Sequence, residues 1–370
     1  MNFIPVNEPL LNGNEKKYLE NCIDTGWISS EGPYIKEFEE KFSKRVGRKY
    51  GVAVCNGTAA LEAAVIAAGI KYGDEVILPT FTIISCASAI LRAGGIPVLI
   101  DSEIDTWNMN VNQIRKKITS KTKAIMIVHI YGLPADIDPV LQIAKEFKLK
   151  VIEDAAELIG QTYKEKPCGS FGEVSTFSFY PNKHITTGEG GMIVTDDIEI
   201  AERCRSLRNL CFKPEKRFVH EELGFNFRMT NIQAALGLAQ LERLDEFILK
   251  KRKTGEMYNE LLRDIPNIQL PKTDTEYAKN IYWVYGIVAD KKCGMNAEKI
   301  MEKLNEKKIG TRPFFYPMHM QPVLNKMGLF KEGEYPVSKN LSEFGFYIPS
   351  GLAITENQIE RTSEELKSLF

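Results

Sequence analysis

Between residues 50 and 196, short apolar runs alternate with stretches of helical period. No other feature constrains the fold of this chain as tightly. Residues 50–55, 75–78, 96–100, 123–129, 149–152, 175–179 and 191–195 read as strands, and residues 58–68, 83–91 and 137–147 as helices between them. Strands separated by helices pair in parallel and carry helices on both faces. The expected class is therefore α/β. Ligands of such sheets sit beyond the carboxyl ends of the strands, so polar residues directly after a strand become candidates for chemistry.

The flanks are simpler. Residues 1–48 read as an arm with helices over 12–24 and 34–46, joined by a polar loop that carries Trp27. Residues 198–207 read as a helix, 208–222 as an exposed charged loop, and 230–263 as one long helical stretch. Near residue 265 the character changes, with Pro266 and Pro271 in a polar segment. A boundary there gives two domains, an arm with a large domain over 1–265 and a small α+β domain over 266–370. The small domain contains a strand at 282–288, a helix at 297–307, a proline-punctuated loop at 312–322 and a terminal helix at 356–370.

The formal net charge of -1 provides no global field for nucleic acid or an anionic membrane. An anionic ligand must be held by local donors. No apolar run approaches the ~20 residues that span a bilayer, and the first residues lack the pattern of a signal peptide. The seven cysteines include no CxxC pair and lie mostly in apolar runs. That implies reduced thiols in a cytoplasmic protein and no metal site.

The most informative run is Ser178-Phe179-Tyr180-Pro181-Asn182-Lys183. A lysine three residues past a strand end can project into a site at the sheet edge. Its amine becomes a Schiff-base nucleophile once desolvation or nearby positive charge lowers its pKa. Taken alone it reads as a solvated surface lysine. Three features change that reading. Val151-Ile152-Glu153-Asp154 runs an apolar strand into a carboxylate, which suits the protonated ring nitrogen of pyridoxal phosphate (PLP) as well as a helix N-cap. Cys55-Asn56-Gly57-Thr58-Ala59 is a strand, a tight turn and a helix start, where free N–H groups and the Thr58 hydroxyl could take a phosphate. Ser178 offers a further phosphate donor. Neither a P-loop ending nor GxGxxG is present, which argues against nucleoside triphosphates and dinucleotides.

These segments, with Thr187-Gly188-Glu189-Gly190-Gly191 and the run from Gly224 through Asn226 and Arg228 to Ala235, occur in the order seen in one family. The chain resembles the DegT/DnrJ/EryC1/StrS sugar aminotransferases over nearly its whole length. The resemblance implies PLP fold type I: a mostly parallel central sheet with helices on both faces, plus the small C-terminal domain. It implies transfer of an amino group from L-glutamate to the keto carbon of a nucleotide-linked 4-keto-6-deoxy sugar, for surface polysaccharide or glycan biosynthesis. By position it makes Lys183 the covalent anchor and general acid/base, and Asp154 the partner of the ring nitrogen. Thr58, the Ala59 backbone and Ser178 hold the phosphate. Asn226 reaches the neighbouring subunit's cofactor, which implies a homodimer with shared active sites. Glu157 lies near the phenolic oxygen and is expected to be protonated or to act through water.

Family members often stack an aromatic on the ring. Here Ile83 occupies that place and Phe81 lies two residues earlier, so either could cover it. Trp27, Tyr316 and His319 are candidate substrate contacts, and the 208–220 loop is expected to face substrate. A sugar 3-dehydratase of the same fold would carry His in place of Lys183. A small phosphorylated ketone as acceptor and a non-catalytic PLP-binding regulator remain the other readings.

Overall fold

The computed structural model describes residues 2–213, 215–216, 218–330 and 334–370. The chain opens with helices α1 (Glu15–Thr25) and α2 (Pro33–Arg45), and the alternation follows: β1 (Tyr50–Val54), α3 (Gly57–Ala67), β2 (Glu75–Pro79), α4 (Ile84–Arg92), β3 (Ile96–Ile100), α5 (Ile114–Lys117), β4 (Thr122–Val128), α6 (Ile137–Phe147) and β5 (Lys150–Asp154). A small hairpin, β6 (Thr162–Tyr163) and β7 (Lys166–Pro167), leads to β8 (Val174–Ser178), β9 (Gly191–Thr195) and α7 (Ile198–Arg208).

The large sheet has the order β1-β9-β8-β5-β4-β2-β3. Only β9 runs antiparallel to its neighbours, β1 and β8; the other pairs are parallel. The strand centres are apolar and buried on both sides, as a sheet covered by helices on both faces requires. One apolar cluster contains Val52, Leu78, Met126 and Ile152 with helix α3, and a second contains Ile77, Ile125, Ile127 and Phe177 with α2 and α6. Because β1, β2, β4, β5 and β8 share one direction, Asn56, Thr80, His129, Asp154 and Ser178 all emerge at the same edge.

Residues 230–263 form two helices rather than one, α8 (Asn231–Leu241) and α9 (Leu244–Leu262). Arg243 leaves helical dihedrals (φ -111, ψ 10), and its guanidinium bonds Asn12 Oδ1 (2.5 Å) and the Glu246 carboxylate (2.7 and 2.9 Å). The break carries no Gly or Pro, and the partner that fixes it is distant in sequence.

A second sheet has the order β10-β11-β13-β12, from β10 (Ile268–Gln269), β11 (Tyr285–Ala289), β12 (Arg312–Pro313) and β13 (Gly345–Ile348). Around it lie α10 (Ala297–Glu306), α11 (Pro322–Lys326), α12 (Pro336–Phe344) and α13 (Glu356–Lys367). The strand expected from residue 282 starts at Tyr285, because Tyr282 takes a left-handed φ of 50 that interrupts the extended run. The proline-rich loop supplies β12 as an edge strand, where Pro313 is tolerated. Among the described residues no helix is long and apolar enough to cross a membrane.

Candidate active site

The edge where the parallel strands end borders a cavity of about 740 Å³. Lys183, Asp154, Glu157, Thr58, Ala59, Ile83 and Ser178 line it together, so the sequence candidates for cofactor chemistry largely converge.

Lys183 follows β8 through a turn in which its own N–H donates to the Tyr180 carbonyl (2.9 Å). Its side chain is 10% exposed, and Nζ lies 3.8 Å from Glu157 Oε1 and 3.6 Å from the centre of the Trp283 ring. Burial pushes the amine's pKa below the usual lysine range, and the Glu157 and Asp154 carboxyls oppose that shift. A neutral amine is the form that attacks an aldehyde.

Asp154 ends β5 and is buried. The Ala156 N–H donates to Oδ1 (3.1 Å) and the Cys86 thiol to Oδ2 (3.2 Å). Burial raises its pKa, and these two donors and Lys183 oppose the rise. Glu157 accepts the Tyr131 N–H at Oε2 (2.7 Å), and burial lifts its pKa to about 8. The carboxyl is therefore largely protonated at neutral pH and can donate to a phenolate. Tyr131 offers its N–H from a left-handed φ of 55, the kind of backbone strain that collects at functional sites.

The floor is anchored from below. The Glu153 carboxylate accepts the Gly169 N–H (2.6 Å), the Phe171 N–H (3.0 Å) and the Ser175 hydroxyl (2.9 Å), and meets His129 Nε2 at 3.2 Å. His129 Nδ1 accepts the Ala135 N–H (3.1 Å), which leaves Nε2 as the donor to Glu153. His129 lines the cavity directly after β4, so its position at a strand end was a readable signal. Trp283, Phe315 and Tyr347 also line the wall. They arrive from the second sheet and its loops, and no local sequence signal marks them.

At the start of α3, the Ala59 N–H donates to Asn56 Oδ1 (2.8 Å), which caps the helix. The amide expected to face a phosphate is thus already partnered. The N–H groups of Gly57 and Thr58 have no partner within the helix. The Thr58 hydroxyl lies 2.9 Å from that of Ser85. A Cβ on Gly57 would come within 2.7 Å of Ser178 Cβ, so glycine is what brings the helix start and Ser178 together. The buried Thr176 hydroxyl, also on the cavity wall, has no hydrogen-bond partner among the described residues. A free amine, a buried carboxylate, open amides beside two hydroxyls and an orphaned hydroxyl in one cavity fit the aldehyde, ring nitrogen and phosphate of PLP.

The remaining candidates divide between the cavity and other places. Ile83 lines the cavity and is 45% exposed, whereas Phe81 is fully buried among Tyr131, Phe314 and Phe315 and does not line it. Asn226 is exposed outside the cavity, with its Oδ1 accepting from Arg228 Nε (3.0 Å) and Nη2 (2.9 Å). Trp27 and Tyr316 are about half exposed and lie off the wall. His319 Nδ1 is 2.7 Å from the Thr80 hydroxyl and its ring packs on Tyr335, so it ties a loop to the end of β2 instead of facing the cavity. In the 208–220 loop, Pro214 and Arg217 lie outside the described residues, and no described residue of the loop lines the cavity.

The family model for the DegT/DnrJ/EryC1/StrS aminotransferases matches residues 9–367. The chain belongs to this family. It is 41% identical over 370 residues to the GDP-perosamine synthase of Escherichia coli O157:H7, covering 100% of this chain and 99% of that one. It is 40% identical over 367 residues to the GDP-perosamine synthase of Vibrio cholerae, covering 99% of each. Among solved structures, the aminotransferase TlmJ from Streptoalloteichus hindustanus superimposes with a TM-score of 0.92 at 26% identity, over 99% of this chain and 98% of that one. The protein is a PLP-dependent aminotransferase of the sugar aminotransferase kind, with the α/β fold expected of fold type I. Family membership of this kind implies a nucleotide sugar and an amino donor as substrates.

Proposed function

We propose that the chain transfers the amino group of L-glutamate to the keto carbon of GDP-4-keto-6-deoxymannose. The observation that carries this reading is the 40–41% identity, end to end, with GDP-perosamine synthases. Bound PLP would supply an aldehyde that accepts the amine and a protonated ring that takes up the electrons of a carbanion.

The chain's own groups divide the remaining work. Lys183 Nζ would anchor the cofactor, and the same amine would carry a proton to and from the substrate carbon. Asp154 would hold the ring nitrogen and keep it protonated. Glu157, held by the Tyr131 N–H, would donate to the phenolic oxygen. Thr58 and Ser178 would hold the phosphate with the amides at the start of α3, and Ile83 would cover the ring. Trp283 and its aromatic neighbours close one side against water.

We further infer a homodimer with shared sites. Asn226 is exposed, does not line its own cavity and accepts hydrogen bonds from Arg228, which suits a role in a neighbouring subunit's site. Residues 1–265 would form the arm and cofactor-binding domain, and residues 266–370 the smaller domain that supplies the aromatic wall. Seven free thiols are consistent with a cytoplasmic enzyme.

The test is direct. The glutamate-treated holoenzyme is offered GDP-, UDP- and dTDP-linked 4-keto-6-deoxy sugars, and products are identified by mass spectrometry. An amino sugar formed with preference for the GDP substrate is expected. Turnover only with another nucleotide, or only with a small phosphorylated ketone, would overturn the assignment.

A further inference from the structure

Cys86 is fully buried in the first turn of α4, and its thiol is 3.2 Å from Asp154 Oδ2. A thiol is one donor with weak acceptor capacity, and a carboxylate only accepts, so the proton of this contact belongs to sulfur. The Thr82 hydroxyl lies 3.6 Å from the same sulfur and takes the donor's role there. Thr82 to Cys86 to Asp154 is therefore a short polar relay between the segment after β2 and the end of β5. Thr82 and Asp154 both line the cavity. With Oδ1 taken by the Ala156 N–H, the carboxylate is held at both oxygens.

We propose that Cys86 is a positioning residue, whose thiol holds the Asp154 carboxylate from outside the cavity so that its open side meets a protonated ring nitrogen. The inference rests on the reading of Asp154 as the ring-nitrogen partner. A buried carboxylate left with one donor would turn or take up a proton, and in either case it would lose the nitrogen's charge. The charged and titratable groups around Asp154 are Lys183, Glu157, His129 and Cys86. Of these, Cys86 is hydrogen-bonded to it, and that bond favours the ionised carboxylate. Burial pushes the thiol's own pKa far up, so the sulfur stays protonated as a donor.

The test has two independent arms. In the holoenzyme, Cys86→Ala is expected to move the acid limb of the kcat profile up by about one pH unit, to lower kcat about tenfold on that limb, and to leave the KM for sugar unchanged. Cys86→Ser should restore most of the loss, because a hydroxyl can donate to the same oxygen. An unmoved acid limb, or a serine variant as poor as the alanine one, would overturn the proposal. In the apoprotein, the S–H infrared band of Cys86 is assigned by difference from Cys86→Ser. It should lie at the low frequency of a hydrogen-bonded thiol and rise in Asp154→Asn. A free-thiol frequency in the wild type overturns the proposal even where Cys86→Ala fails to fold. Full turnover in Asp154→Asn, with the band at the bonded frequency in the wild type and raised in that variant, would instead sink the reading of Asp154, which separates the two failures.

Discussion

The amine of Lys183 sits 3.6 Å from the centre of the Trp283 indole ring. The indole N–H donates to the carbonyl of Asn182, the residue before that lysine, at 2.8 Å. The ring is thus tied to the segment it covers. Its π face favours the ammonium form by about 0.5–2 kcal/mol, while its bulk keeps water away and favours the neutral amine. The amine's pKa is lowered with burial as the largest cause, so dehydration prevails. Trp283→Ala is expected to admit water and raise that pKa. Capture of PLP by the apoprotein at pH 7 should then slow by roughly tenfold per unit regained. Stopped-flow absorbance measures the rate, and a rate equal to wild type would refute the shielding role.

Glu157 makes a statement about stability. Its carboxyl loses its proton near pH 8 in the folded chain and near the ordinary ~4.3 when unfolded. Between those values the folded state binds more protons. The stabilisation is complete below the unfolded pKa and fades as pH rises through 8. Glu157→Gln should remove that decline, which is at most about 1.4 kcal/mol per pH unit. Urea denaturation of both apoproteins from pH 5 to 8 gives the comparison. The glutamine variant should gain on wild type as pH rises.

What the sequence showed and what it hid follow from the range of the interactions. Strand ends are local, so Asp154, Ser178 and Lys183 could be placed on one edge from apolar runs and the residues that follow them. The wall opposite is not local. Trp283, Phe315 and Tyr347 reach the cavity through a second sheet, and the short strand that carries Tyr347 lies in a stretch with weak period. Phe81 and Ile83 could not be separated by spacing alone, since the backbone after β2 turns one side chain into the core and the other toward the cavity. Ala59 shows the same limit at atomic scale. The turn was legible, but the capture of its N–H by Asn56 depends on a side-chain rotamer.

Lys251 carries the opposite sign to Glu157. Its ammonium is buried and donates to the carbonyls of Trp283 (2.8 Å) and Ser350 (2.5 Å). Burial lowers its pKa to about 7. The unfolded chain keeps the proton up to about 10.4, so between these values the unfolded state binds more protons and stability rises with pH. That contribution is full above the unfolded pKa and is lost as pH falls through 7. Lys251→Met should flatten the rise between pH 7 and 9, measured by chemical denaturation of the apoprotein. An unchanged slope would show that the amine titrates normally.

Gly57 tests the phosphate cradle separately from the fold. It is the first residue of α3, and a Cβ there would lie 2.7 Å from Ser178 Cβ and 3.0 Å from Ser178 Oγ. Gly57→Ala must therefore push Ser178 or the helix start outward, and these are the groups assigned to the phosphate. The apolar side of α3, with Ala60, Ala63 and Ala64, packs elsewhere and is untouched. One lost bond to a charged group costs about 1.5–3 kcal/mol, which corresponds to at least tenfold in affinity. PLP should bind the variant at least tenfold more weakly, while pyridoxal, which has no phosphate, should bind almost as well as before. Absorbance titrations of both ligands against the apoprotein decide it. An equal loss for both would mean that the strain has spread to Lys183, and that the helix start is not the phosphate's holder.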